Sequence, residues 1–247
     1  MDKQKKQKIR LEVWEKLKKV ALPDSRFHLN FAEYIPDFKD SLEACNKIIK
    51  SDEYKKAKLL FITPDNCLTT TREQAIKDGK DIIVSTYGIY RGFIFISKKM
   101  IDRGNEVFAS TLDGLEYFGK NISLREIKEL GKIDLMLTGA SAVSKNGVRF
   151  GKGHGFFDLE WGMFADLKIV DESTPIVAAV HDVQVVNFEL EPSETDIIVD
   201  SIITNKQELS TNRKKKRPAG IYWELLEKGM LEATPPLQEL KKMLNKN

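Results

Sequence analysis

Asn146-Gly147-Val148-Arg149-Phe150-Gly151-Lys152-Gly153-His154-Gly155-Phe156-Phe157-Asp158 is the stretch on which the reading of this chain turns. Three glycines, Gly151, Gly153 and Gly155, alternate with Lys152 and His154; Arg149 precedes them and Asp158 closes the run. Glycine lets backbone approach a ligand closely. Successive loop N–H groups can converge on an anion, and Arg149 and Lys152 add full positive charge. A carboxylate such as Asp158 suits a hard cation of the kind that accompanies nucleotide phosphates. The run therefore reads as a polyphosphate cradle with its own metal ligand, or, on spacing alone, as a mobile surface turn. The glycines stand too close together for a Walker loop or a dinucleotide fingerprint.

Working outward, short apolar runs at 58–63, 82–85, 133–138, 176–181 and 197–203 read as strands. A further strand is expected at 106–109. Amphipathic segments fall between them: 4–20, 38–51, 71–77, a short helix near Met100, a capping box at Ser123 opening a helix through Leu130, and 157–167. This alternation implies a mostly parallel, Rossmann-like sheet in a three-layer α/β/α sandwich. Ligands in such sheets bind beyond the C-terminal strand ends, and the glycine run follows the 133–138 strand. Residues 206–218 change character. Lys214-Lys215-Lys216-Arg217-Pro218 reads as a solvated linker, with nucleic-acid binding as the alternative, and two short helices separated by Pro235 and Pro236 follow it.

The composition is that of an ordinary soluble globular chain: 41% hydrophobic, 31% charged and +3 in formal charge, too little for a general polyanion binder. No apolar run reaches the length of a membrane span, and the lysine-rich start has no signal-peptide core. Cys45 and Cys67 lack metal-ligand spacing and suit a reducing cytoplasm.

The glycine run resembles the G-x-R-x-G-x-G-x-G-[YF]-[YF]-D signature of the 5-formyltetrahydrofolate cyclo-ligase (methenyltetrahydrofolate synthetase) family. Ile133–Leu137 upstream, Val180–Val186 and Ile198–Thr204 downstream, and the pair Lys6 and Arg10 occur in the family's order. The likeness spans about residues 5–205. Ala142-Val143-Ser144, Gly151-Lys152-Gly153 and Asp158-Leu159-Glu160 resemble the branch called methenyltetrahydrofolate synthetase domain-containing proteins.

The resemblance implies a NagB/RpiA/CoA transferase-like fold over residues 1–205, with 206–247 as a basic linker and helical extension. It implies ATP and Mg²⁺ as cofactors and a reduced folate or related pterin as substrate. ATP would activate the formyl oxygen of 5-formyltetrahydrofolate by phosphoryl transfer; N10 would join the formyl carbon, and 5,10-methenyltetrahydrofolate, ADP and phosphate would leave. Arg149, Lys152 and His154 would serve this chemistry. Lys6, Arg10, Arg149, Phe156, Phe157 and the glycine loop from Gly151 to Gly155 would bind nucleotide, and Asp158 and Asp200 would hold the metal. Each acidic residue has a plainer alternative, Asp158 as a helix cap and Asp200 as a partnered strand aspartate. His154 reads equally as a donor and as an exposed loop residue, and His181 as a structural histidine.

The chain departs from the family on the substrate side. Phe156 stands where a tyrosine is usual, Thr138–Ser144 replaces the usual Val-Pro-Gly-x-Ala-Phe-Asp, and the expected Gly-Ile-x-Glu-Pro is absent around Phe118–Ile122. Tyr87, Tyr90, Phe93 and Trp161 are candidate pterin-stacking aromatics, or core. Two readings remain open: a cyclo-ligase, and a nucleotide- or pterin-binding relative without that activity.

Overall fold

The computed structural model describes residues 3–245. Among the described residues, eleven strands form in chain order: β1 (Leu59–Ile62), β2 (Asp81–Ser85), β3 (Phe93–Ile96), β4 (Lys120–Ile122), β5 (Leu135–Thr138), β6 (Ala142–Ser144), β7 (Arg149–Phe150), β8 (Ile176–Val180), β9 (Val185–Val186), β10 (Ser201–Thr204) and β11 (Glu208–Ser210). The main sheet has the order β11-β10-β8-β5-β1-β2-β3-β4. Its centre, from β10 to β2, is parallel; β11 and the antiparallel strands β3 and β4 add the edges.

Helices cover both faces because successive strand residues point to opposite sides. Phe61, Met136, Ala178 and Ile202 face one core, shared with Trp161 and Phe164 of the helix Phe156–Asp166. Leu60, Ile62, Leu137, Ala179 and Ile203 face the other, shared with the helices Ser41–Lys50 and Thr69–Lys77. A strand buried on both faces must be apolar, and β1 and β8 are so at every position, β5 at all but its last residue, Thr138.

A second sheet, β7-β6-β9, stands beyond the C-terminal end of β5. It inserts between the 133–138 strand and the glycine run, so the run follows β7 instead of β5. Ile9 and Val13 of the N-terminal helix Lys3–Leu17 pack on this sheet against Ala142, Val148 and Phe150. Lys6 and Arg10 lie on the same helix face and are thereby brought to the glycine loop.

The expected strand at 106–109 is instead a short helix, Glu106–Ala109. Only Ala109 is buried, while Val107 and Phe108 are exposed, so no sheet is available to reward their β preference. The 197–203 strand begins at Ser201, because Ile198 bridges to Val148 of the small sheet. Pro235 and Pro236 stand at the boundary between the short helix Met230–Ala233 and the helix Pro235–Leu244, whose first turn they form, where a missing N–H costs nothing. Leu237 and Leu240 of that helix are fully buried in the core around Trp161, and Glu239 accepts from the first N–H groups of the helix Leu124–Leu130.

Candidate functional site

A cavity of about 720 Å³ opens where the sheet theory of α/β proteins expects one, beyond Thr63, Ser85 and Thr138 at the C-terminal ends of β1, β2 and β5. The glycine loop forms one wall. Gly155 occupies the N-cap position of the helix Phe156–Asp166 at φ 69°, a left-handed backbone that lets the chain turn sharply into the helix.

Cations converge on that wall from two parts of the chain. Arg10 is buried, donates from Nε to the carbonyl of Gly151 at 2.7 Å and stacks over Phe150. Burial lowers its pKa, an effect that Asp196 opposes and Arg149 reinforces. Arg149 is also buried; its guanidinium lies 4.6 Å over the Phe157 ring, and its Nε has no protein partner. A buried donor without a partner is costly, and here it lines a cavity able to hold an acceptor. Lys152 donates to the Glu33 carbonyl at 2.8 Å and sits over Tyr87; burial lowers its pKa as well. Lys6 is held by both oxygens of Asp196, at 2.5 and 2.7 Å. His154 is exposed, stacked on Phe156, and its pKa is lowered first by burial and then by Lys152.

The acids divide differently from expectation. Asp158 lines the cavity but caps nothing: it lies in the first helical turn, and Oδ1 accepts from Ile197 N at 3.1 Å. Burial raises its carboxyl to about 6 against the pull of Arg149. A divalent cation beside it would restore the charge that burial disfavours. Among the described residues no group of three metal-ligating side chains gathers; a single cavity carboxylate is a donor that Mg²⁺ can use together with phosphate and water. Asp200 does not join it. Its carboxylate accepts from Ile176 N at 2.8 Å, Arg217 Nη2 at 2.5 Å and Arg213 Nε at 3.3 Å, the work of a partnered strand residue outside the cavity.

Four further features escape a reading of the chain. Asp196 has no local motif, yet it pairs with Lys6; burial works to raise its carboxyl, and Lys6 and Ser193 hold it below the ordinary value. Glu160 is 2% exposed, its Oε2 has no hydrogen-bond partner, and burial pushes its carboxyl up to about 8. Arg217, the last basic residue of the 214–217 run, is buried and donates to Ile198 O, Thr174 O and Asp200, while Lys214, Lys215 and Lys216 stay exposed. Finally, residues between Pro218 and Met230 line the same cavity as the glycine loop. Of the aromatic candidates, Tyr87 lines the cavity, Tyr90 is exposed, and Phe93 and Trp161 are core. His181 accepts from Val183 N as a cap, the structural role read for it.

The fold and site define an α/β protein with a cavity beyond its strand ends, walled by a glycine loop and buried cations. The chain belongs to the 5-formyltetrahydrofolate cyclo-ligase family, whose model matches residues 2–205. A methenyltetrahydrofolate synthase domain-containing protein of Danio rerio is 34% identical over 210 residues, 84% of this chain. One of Homo sapiens is 31% identical over 239 residues, 96% of this chain. The chain spans 54% and 61% of the lengths of those two proteins. The NMR structure of the 5,10-methenyltetrahydrofolate synthetase of Aquifex aeolicus has the same fold, with a TM-score of 0.50 at 17% identity over 90% of this chain and 99% of that one.

Proposed function

We propose that this protein is an ATP- and Mg²⁺-dependent cyclo-ligase that converts 5-formyltetrahydrofolate to 5,10-methenyltetrahydrofolate. The observation that carries the proposal is the convergence of Arg10, Arg149 and Lys152 around the glycine loop, with Arg149 Nε unpartnered in a cavity wall. Phosphoryl transfer asks a protein chiefly for positioning and charge neutralisation. Arg149 and Lys152 neutralise phosphate oxygens, and Arg10, tied to Gly151, holds the loop in register with the N-terminal helix. Asp158 would hold Mg²⁺, which supplies charge neutralisation on the phosphates when bound. Lys6, committed to Asp196, fixes that acid beside the site and adds a longer-range positive field. Residues 1–205 make up the cyclo-ligase-like unit, and 206–247 an extension joined to it through β11, Arg217, Leu237 and Leu240. The two buried free thiols, Cys45 and Cys67, suit a reducing, cytoplasmic setting.

The second reading, a binding protein without ligase activity, draws on Phe156 and on the altered Thr138–Ser144 stretch, both on the substrate side. Purified protein mixed with ATP, Mg²⁺ and 5-formyltetrahydrofolate should develop the absorbance of the methenyl product. ATP binding without product under varied conditions would favour the second reading.

A further inference from the structure

The cavity has two unlike walls. The cationic wall comes from the N-terminal helix and the glycine loop. The other comes from the segment after Pro218 and is mostly apolar: Ile221, Tyr222, Leu225, Leu226 and Met230 line it, with Glu227 as its one acid. None of these residues belongs to the stretch matched by the family model.

The segment is fastened at both ends. Arg217 is locked to the sheet by Asp200, Ile198 and Thr174 and stacks 5.0 Å over the Trp161 ring, whose Nε1 donates to Pro218 O at 2.8 Å. Ile221 N donates to Asp166. Gly162 makes the approach possible, since a Cβ there would lie 2.6 Å from Ile221 Cδ1 and 3.2 Å from Gly220 O. At the far end, Leu237 and Leu240 bury into the core. Between these anchors Tyr222 and Leu225 remain 37% and 49% exposed, with their apolar surface turned to the cavity. Glu160, whose Oε2 has no partner, lines the same cavity. Apolar walls with a few convergent polar groups are the usual lining for a flat organic ligand, and such sites commonly measure about 300–1,000 Å³.

We propose that residues 218–230 form the wall that binds the ring portion of the reduced pterin, so that an extension outside the family-matched stretch sets substrate selectivity while the glycine loop binds phosphate. The proposal rests on the folate reading above and names the chain segment responsible for it.

Leu225→Glu and Leu225→Ser in the full chain test it, because a half-exposed leucine can be replaced with little effect on stability. Calorimetry would measure 5-formyltetrahydrofolate binding, and melting temperature with and without MgATP would report the phosphate side. Burial of a leucine against a ligand is worth about 1.5–3 kcal/mol, or roughly ten- to a hundredfold in Kd. We expect folate binding to weaken by at least about tenfold in Leu225→Glu and less in Leu225→Ser, with the MgATP shift equal to wild type. Unchanged folate affinity in both folded variants overturns the proposal. Equal loss of folate and MgATP binding overturns it too, since the segment would then act on the whole cavity. A wild-type protein that binds MgATP but no reduced folate removes the folate reading itself, and this inference with it.

Discussion

Replacing Glu160 with glutamine should change how stability depends on pH. Glu160 is 2% exposed, and its carboxyl is raised from 4.5 to about 8, first by burial and further by Asp65 and Asp158, against Ser85 and Arg149. In the unfolded chain the group loses its proton near 4.5; in the folded chain it keeps it until about 8. Between those values the folded state binds one more proton than the unfolded one. Stability attributable to this group is therefore complete below 4.5, falls as pH rises, and is gone above 8. The slope is about 1.4 kcal/mol per pH unit, and the whole interval amounts to about 5 kcal/mol as an upper bound. Water entering the open cavity reduces this to about half, on the order of 2–3 kcal/mol over the whole interval. Denaturant unfolding of wild type and Glu160→Gln at pH 5.5 and pH 8.5 measures it. Wild type should lose about 1.5 kcal/mol more than the variant between the two pH values, since the part of the interval below pH 5.5 is already spent. Glutamine keeps the shape and cannot titrate, so other groups cancel in the comparison. Parallel pH profiles for the two proteins would refute the reasoning and mean that Glu160 is ionised in the folded state.

Asp158→Asn should fold and lose most of the MgATP-induced rise in melting temperature, which for wild type at a hundredfold excess over Kd is about 2.7 kcal/mol, or roughly 5–10 °C; a shift equal to wild type would remove Asp158 from the metal site. Lys152→Ala should weaken ATP binding by about 1.5–3 kcal/mol, read by calorimetry, and unchanged affinity in a folded variant would assign Lys152 to the Glu33 contact alone. Arg217→Ala strips Asp200 of one of its two cationic partners and leaves Ile198 O and Thr174 O without that donor, so unfolding free energy should fall by about 2–4 kcal/mol; a loss below about 0.5 kcal/mol would show that the extension is not clamped there.

The parallel centre of the fold is legible because it obeys a local rule. Leu59-Leu60-Phe61-Ile62 and Ile176-Val177-Ala178-Ala179-Val180 are apolar at every position, as burial on both faces demands. β4, Lys120-Asn121-Ile122, carries no such signal, since its place at an exposed edge requires no apolar pattern. The glycine loop is legible through residue type and spacing, and Arg10 through its helical offset from Lys6. Asp196 and Glu160 are not, because their importance arises from partners 190 residues away or from a missing partner. Asp200 shows the limit most plainly. An aspartate in an apolar run announces that it needs a counter-charge, and only the folded chain shows that Arg213 and Arg217 supply it in place of a metal. The same contact takes Arg217 out of a lysine run whose composition suggests solvent throughout.

The Lys6–Asp196 pair also has a meaning in time. Its two members are 190 positions apart, and Arg10 meets Gly151 across 141. At about 5–20 residues per second of synthesis, the N-terminal helix waits on the order of 10–40 s before the ribosome makes the acid that will hold it. The helix has little reason to be stable alone: it has fifteen residues, five of them lysine, and no acidic residue in its first turn. Its docking must be among the late events of folding, and the cavity wall it builds with the glycine loop forms only once Asp196 and Gly151 are in place.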